Sequence, residues 1–268
     1  MTATTMNTSS LQDTKVAGLV ADMRQGSPLL WRSTILMLAL AAVLAAAHLF
    51  DSRQLIGVSV WDKPMKFAIA IAVQFATVSW AMAMLPEESK AARIAALLMA
   101  FCGWSELAYI TTRGALGLTS HFNYDTVLSS VAYALMGLGA VTMTATSFLI
   151  GTILWRRAGQ GLWPRAAALG LMLGSLLATC VAGYLSSRGG HWVGGEMTDA
   201  NGLGFFHWST TGGDLRVAHF VGLHAAQAVP LAALSGRHSV VYVTAILVTL
   251  ATAAAFIQAL MGIPLLQG

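Results

Sequence analysis

Apolar residues gather into seven long runs along the chain, near Ile35 to Leu49, Met65 to Leu85, Ile94 to Thr112, Thr126 to Leu154, Arg165 to Leu185, Val217 to Leu234 and Ser239 to Leu266. A bilayer core about 30 Å thick needs roughly 20 such residues in a helix. The pattern predicts an all-α polytopic integral membrane protein with seven transmembrane helices. Residues 1–28 are polar, and the first run is too long and too far in for a cleaved signal peptide. Leu11, Val16, Leu19, Val20 and Met23 are spaced loosely like one face of a short interfacial helix, the alternative being a disordered tail. Residues 29–268 then form one seven-helix domain.

Polar connections between the runs set the orientation. Lys15, Arg24, Arg32, Lys90, Arg93, Arg156, Arg157, Arg165 and Arg237 fall on one side; Arg53, Lys63, Lys66, Arg113, Arg188 and Arg216 fall on the other. Lys and Arg favour the cytoplasmic side, so the larger set predicts a cytoplasmic N-terminus and an outside C-terminus. The reading fits the cytoplasmic membrane of a bacterium. Composition agrees: 56% of the 268 residues are hydrophobic and 10% charged, against about 25% charged in a soluble domain. A net charge of +4 is too small and dispersed to suggest nucleic acid. Cys102 and Cys180 fall inside spans and read as buried thiols, not as a disulfide framework.

Some polar residues sit where membrane helices rarely carry them. The second span opens Trp61-Asp62-Lys63-Pro64-Met65-Lys66, with Asp62 placed as a helix cap and Pro64 in the first turn. Lys63 and Lys66 put positive charge at the positive end of the helix dipole. They imply either a bound anion, such as a lipid phosphate, a carboxylate or a cofactor propionate, or two snorkelling lysines. Gln74 lies near the face of Lys66 and extends a polar stripe inward. Glu106 precedes Arg113 by roughly 10 Å of helix, inside the outer leaflet. It fits a proton carrier or a structural partner for a cation. Asp125 is placed to cap the fourth span, and Gly170-x-x-x-Gly174 in the fifth reads as close helix packing.

The longest connection, Arg188 to Gly213 within an outer segment 188–216, holds eight glycines and the pairs His191-Trp192 and His207-Trp208. It suits a lid over an outward-facing pocket or a flexible loop anchored by aromatics. It runs into a span carrying Asp214, Arg216, His219, His224 and Gln227, with Pro230 placed to kink the helix. His219 and His224 are five residues apart, about 140° around the helix, too far round to share one ion easily.

Six of the seven histidines, all but His238, fall at the outer side. Three readings follow. In the first, His48, His121, His219 and His224 supply ligands to a transition metal or haem b. Glu106 and Asp214 then serve as acid–base groups, and Lys63, Lys66, Arg216 and Gln227 hold the cofactor's anionic and polar parts. In the second, the chain is a proton-coupled carrier or channel in which Glu106 and His224 titrate, and an anionic or small-molecule ligand enters from the outer side. In the third, it is a cofactor-free assembly or receptor subunit in the bilayer. Seven spans match microbial rhodopsins in number, but the last span lacks their retinal lysine. Zinc-dependent seven-span amidases carry a histidine pair on their last helix, and it is absent here. CxxCH, P-loop, HExxH and G-x-S-x-G motifs are also absent.

Overall fold

The computed structural model describes residues 18–86 and 89–266. It is mostly helical, and six of its helices are long and apolar enough to cross a membrane: α1 (Pro28–Phe50), α2 (Asp62–Met82), α3 (Lys90–Ala115), α4 (Val127–Arg157), α5 (Leu162–Ser187) and α8 (His238–Leu260). This is consistent with an integral membrane protein. Two short helices, α6 (Leu215–Leu223) and α7 (Ala225–Leu231), with the 3₁₀ turn Ala232–Ser235, bend by 42°; counted together as one broken span they bring the number to seven. Residues 18–26 are helical, and Leu11 and Val16 lie outside the described residues.

Local chemistry starts these helices. Ser27, Ser89 and Thr126 cap α1, α3 and α4 through bonds to Leu30, Ala92 and Ser129 N–H, as short hydroxyl side chains do. Two caps differ from expectation. Thr126, not Asp125, caps α4. Asp62 is the first residue of α2 and makes no cap bond, because its carboxylate is committed to histidines described below.

Between α1 and α2 a small hairpin pairs Gln54 with Ser59 (β1, Gln54–Leu55; β2, Val58–Ser59). Its turn places Ile56 at φ 55° and Gly57 at φ 83°. Two left-handed residues suit a tight hairpin, but a β-branched residue adopts that conformation at a cost.

The core is built mainly from α1, α2 and α3, where Met37, Phe75, Met99 and Leu107 are fully buried. A second cluster joins Ala166, Ala225, Val229, Ala233, Val241 and Ala245 of α5, α7, the 3₁₀ turn and α8. Apolar side chains also point outward, among them Leu128, Leu135 and Leu138 of α4 and Ile246, Leu247 and Leu250 of α8. Such a belt is costly in water and favourable in lipid. Cys102 is half-buried and Cys180 exposed on this outer surface, so Cys180 is not the buried thiol expected.

The broken span is packed through glycine. A methyl group at Gly174 would stand 2.9 Å from Ala226 N and 3.0 Å from Leu223 O, so α5 touches the backbone at the bend. The break falls at His224, a turn and a half before Pro230. Pro230 lacks an N–H and crowds the preceding turn, and the chain crosses there by Gln227 N to His224 O (3.0 Å) and Ala228 N to His224 O (2.9 Å).

Candidate functional site

The chemistry gathers at the end of the bundle where α1 finishes, α2 and α6 begin, and segment 188–214 folds. That segment contains a short ladder, β3 (Trp192–Val193) with β4 (Gly213–Asp214). Gly213 lies against Ala259 of α8, and Thr198 Oγ1 and Asp199 N donate to Ile56 O of the hairpin at 3.3 and 3.1 Å.

Four carboxylates at this end of the bundle have cationic or histidine partners. Asp51 accepts from Arg53 and, at 2.9 Å, from Trp61 Nε1. Asp62, 5% exposed, is shared: His48 Nδ1 lies 2.6 Å from Oδ1 and His207 Nε2 lies 3.0 Å from Oδ2. Asp214, 2% exposed, caps α6 through Arg216 N and also accepts from Ser209 N and the Arg216 guanidinium. Arg216 reaches further, to Asp199 Oδ1 at 2.8 Å and His207 O at 2.7 Å. Bonds to an ionised partner such as these are among the stronger ones.

Beside Asp199, His191 lies against Trp192, the rings tilted by 36° with 3.8 Å between their centres. Its Nε2 lies 3.6 Å from Asp199, too long for a hydrogen bond, and is a buried atom without a hydrogen-bond partner. Burial pushes the His191 imidazole below its ordinary pKa. Burial also acts to raise the Asp199 carboxyl, but His191 and Arg216 outweigh it and hold the group below its usual range.

Lys63 and Lys66 differ from these residues. Among the described residues neither makes an ion pair or hydrogen bond, although Lys66 Nζ stands 5.5 Å over the Phe205 ring. Lys63 lies within electrostatic reach of Arg216, Asp199, Glu106 and Lys66. Glu106 of α3 is 8% exposed and likewise has no ion pair or hydrogen bond among the described residues. Lys63, Lys66, Arg216 and Glu106 are thus brought together.

The four proposed histidine ligands are not. His48 serves Asp62. His121 lies among Phe67, Phe122 and Tyr133, with Nδ1 3.1 Å from Ser120 Oγ. His219 Nδ1 faces Ala178 O at 3.2 Å, and His224 Nδ1 faces Phe220 O at 2.8 Å. A carbonyl only accepts, so in both rings Nδ1 carries a proton and Nε2 is the nitrogen left for another partner. Among the described residues no three of His, Cys, Asp and Glu form a group that could hold a metal ion.

Polar bonds continue into the bundle. Gln74 Nε2 donates to Ser147 Oγ at 3.0 Å, and Gln227 Nε2 donates to Thr77 Oγ1 at 2.9 Å. Gln74 Oε1 is buried without a hydrogen-bond partner. Gln74 thus turns to α4, and Thr77, three residues on, meets the broken span; among the described residues no hydrogen bond joins Lys66 to Gln74.

Asp62, Asp199 and His207 were not among the residues singled out from sequence as site members. The rule-breaking charges around Asp62 and the paired His-Trp motifs were the available signals. Comparison of the chain with protein-family models, with curated proteins and with solved structures finds no match, so the site's geometry alone carries its interpretation.

Proposed function

We propose that this chain binds a small anionic solute at the mouth formed by α2, α3 and α6, and moves a proton with it through Glu106. One observation carries the reading: among the described residues Lys63, Lys66 and the buried Glu106 make no ion pair or hydrogen bond, although Lys63 is within electrostatic reach of Glu106. The nearby carboxylates Asp51, Asp62, Asp199 and Asp214 are already engaged. Lys63 and Lys66 are the cations of this cluster without a hydrogen bond or ion pair among the described residues, and an anion placed between them would supply one. A carboxylate inside a bundle is costly unless it has a task such as carrying a proton. Gln74, Thr77, Gln227 and His224 extend the polar path inward. On the charge-bias orientation the solute enters from outside, across a bacterial cytoplasmic membrane.

The test is uptake of inorganic phosphate and of small carboxylates into proteoliposomes containing a pH-sensitive dye. The parent protein should carry protons with one of these anions. Lys63→Met and Lys66→Met should each weaken uptake about 10- to 100-fold, the range for losing a charged contact. Glu106→Gln should uncouple protons from the anion. Flux that ignores both the pH gradient and Glu106→Gln overturns the reading.

A second reading, haem or metal ligation by His219 and His224, is favoured by the carbonyls that hold both rings through Nδ1 and leave Nε2 for a ligand, an arrangement common behind ligating histidines. Iron, copper and zinc measured against protein sulfur test it. A near-stoichiometric metal that falls in His219→Ala or His224→Ala would support it, and metal-free protein purified without chelator would sink it.

A further inference from the structure

We infer that residues 196–211 form a hinged flap over the Lys63 and Lys66 site, latched shut by the bond between His207 and Asp62. Its consequence, control of solute access, rests on the anion-site reading; its geometry does not.

The flap has a base, a body and a latch. At the base, Gly194 and Gly195 have φ of +67° and +65° and face Gly212 across the ladder. A Cβ on Gly212 would meet Gly194 O at 2.4 Å, and one on Gly195 would meet Gly212 N at 2.7 Å. Only glycine lets the two strands touch there, and glycine also turns most freely. The body is bonded to itself: Leu203 N to Trp208 O at 2.7 Å, Glu196 N to Thr211 Oγ1 at 3.0 Å, and Thr210 Oγ1 to Asn201 O at 3.0 Å. It can therefore move as one piece.

The flap also rests Phe206 and Trp208 on Phe220 of α6 and bonds Ser209 N to Asp214, but its two charged anchors on the bundle are built to let go. Asp62 gives one carboxylate oxygen to His48 and the other to His207. When His207 leaves, His48 still satisfies the buried carboxylate. Arg216 keeps Asp214 permanently and lends its remaining reach to Asp199 and His207 O of the flap. Opening thus strands no buried charge, the usual obstacle to such a movement.

The closed state also holds backbone conformations that L side chains disfavour. His207 has φ 55° and ψ 38°, and Ile56, whose carbonyl receives the other edge of the flap, has φ 55°. Conformations of this kind persist where contacts impose them and often mark switching segments. Phe205, 47% exposed, lies under Lys66 Nζ, so lifting the flap uncovers the lysine.

The experiment uses full-length protein in nanodiscs, with Cys102→Ala and Cys180→Ala removing native thiols and Lys66→Cys as the reporter. A hydrophilic maleimide is added without any solute, and the labelling rate is measured. His207→Ala should label about tenfold faster or more, as expected for losing one charge-assisted bond. His207→Gln, which keeps a side-chain N–H for Asp62, should stay within about threefold of the His207 protein. Equal rates in the His207, Ala and Gln proteins overturn the latch, as does fast labelling of both variants alike or no labelling in any of them. Rapid labelling of the His207→Ala reporter, together with no anion uptake by the protein that keeps Lys66, would sink the solute reading and leave the flap standing. Unchanged labelling in a protein whose anion uptake needs Lys63 would do the reverse.

Discussion

A methyl group added at Gly170 would stand 2.7 Å from Cδ of Pro230 and 3.1 Å from Ala225 O. Both neighbours are rigid, a proline ring and a helix backbone, so neither yields by a rotamer change. Gly170→Ala and Gly174→Ala should each cost about 1–3 kcal/mol, the range for overpacking a filled interior. Gly183, with nothing within 4 Å of its would-be Cβ, is the matched control on the same helix. Thermal unfolding in detergent should rank Gly170→Ala and Gly174→Ala well below Gly183→Ala. Equal midpoints would show that α5 does not press on the bend.

The bond from Gln227 Nε2 to Thr77 Oγ1 joins α7 to α2 across 150 residues of sequence. Interhelical bonds of this type in membranes average about 0.6 kcal/mol, with a maximum near 1.7. A double-mutant cycle with Gln227→Leu and Thr77→Val should return a coupling in that range. Strictly additive effects would mean that the two side chains do not meet in the bilayer.

Much of this architecture was legible because lipid imposes a length. A run such as Ile94 to Thr112 has few alternatives to a spanning helix, and all seven runs fall on helices or on the bent pair. Gly170 and Gly174 were also legible as packing positions, because close approach requires the smallest residue. The bend was placed less well. Pro230 marks it, but the proline acts on the turn before it, and the break lies at His224. Asp62 was misread for a different reason. A carboxylate at a helix start suits a cap by local rules, and only the folded chain shows that His48 takes one oxygen and His207, 145 residues away, takes the other. Local propensity cannot encode such a partner. The same limit hid the folding of segment 188–214, whose docking bonds reach Ile56, Asp62 and Arg216.

Acid should destabilise the protein through His121. Burial, with the Lys63 charge second, holds this imidazole well below the ordinary 6.5. The folded chain therefore binds the proton less readily than the unfolded chain. His121 imposes no penalty above about 6.5, and stability is lost as pH falls below it. His191, lowered by burial, adds to the same slope. The unfolding midpoint should drop between about pH 7 and pH 5, by about 2–4 °C for each kcal/mol lost. His121→Phe should remove part of that drop. An unchanged pH profile in this variant would show that the ring is not shielded from water.

The sharpest stability test is Arg216, because one side chain serves two structures. Its guanidinium binds Asp214 at the start of α6 and also holds Asp199 and the His207 carbonyl of the glycine-rich segment. Asp214 is 2% exposed, so removing the cation leaves a buried carboxylate with only backbone donors. Breaking a buried pair from one side costs about 3–5 kcal/mol. Arg216→Gln should approach that cost. Arg216→Lys keeps the charge but not the planar fork that reaches three partners, so it should recover only part of the loss. Limited proteolysis separates the two roles. If Arg216 holds the segment as well as the helix, cleavage within 196–211 should speed up in Arg216→Lys before global unfolding begins. If cleavage and global unfolding rise together, the segment has no independent hold and is simply part of the bundle's cooperative unit.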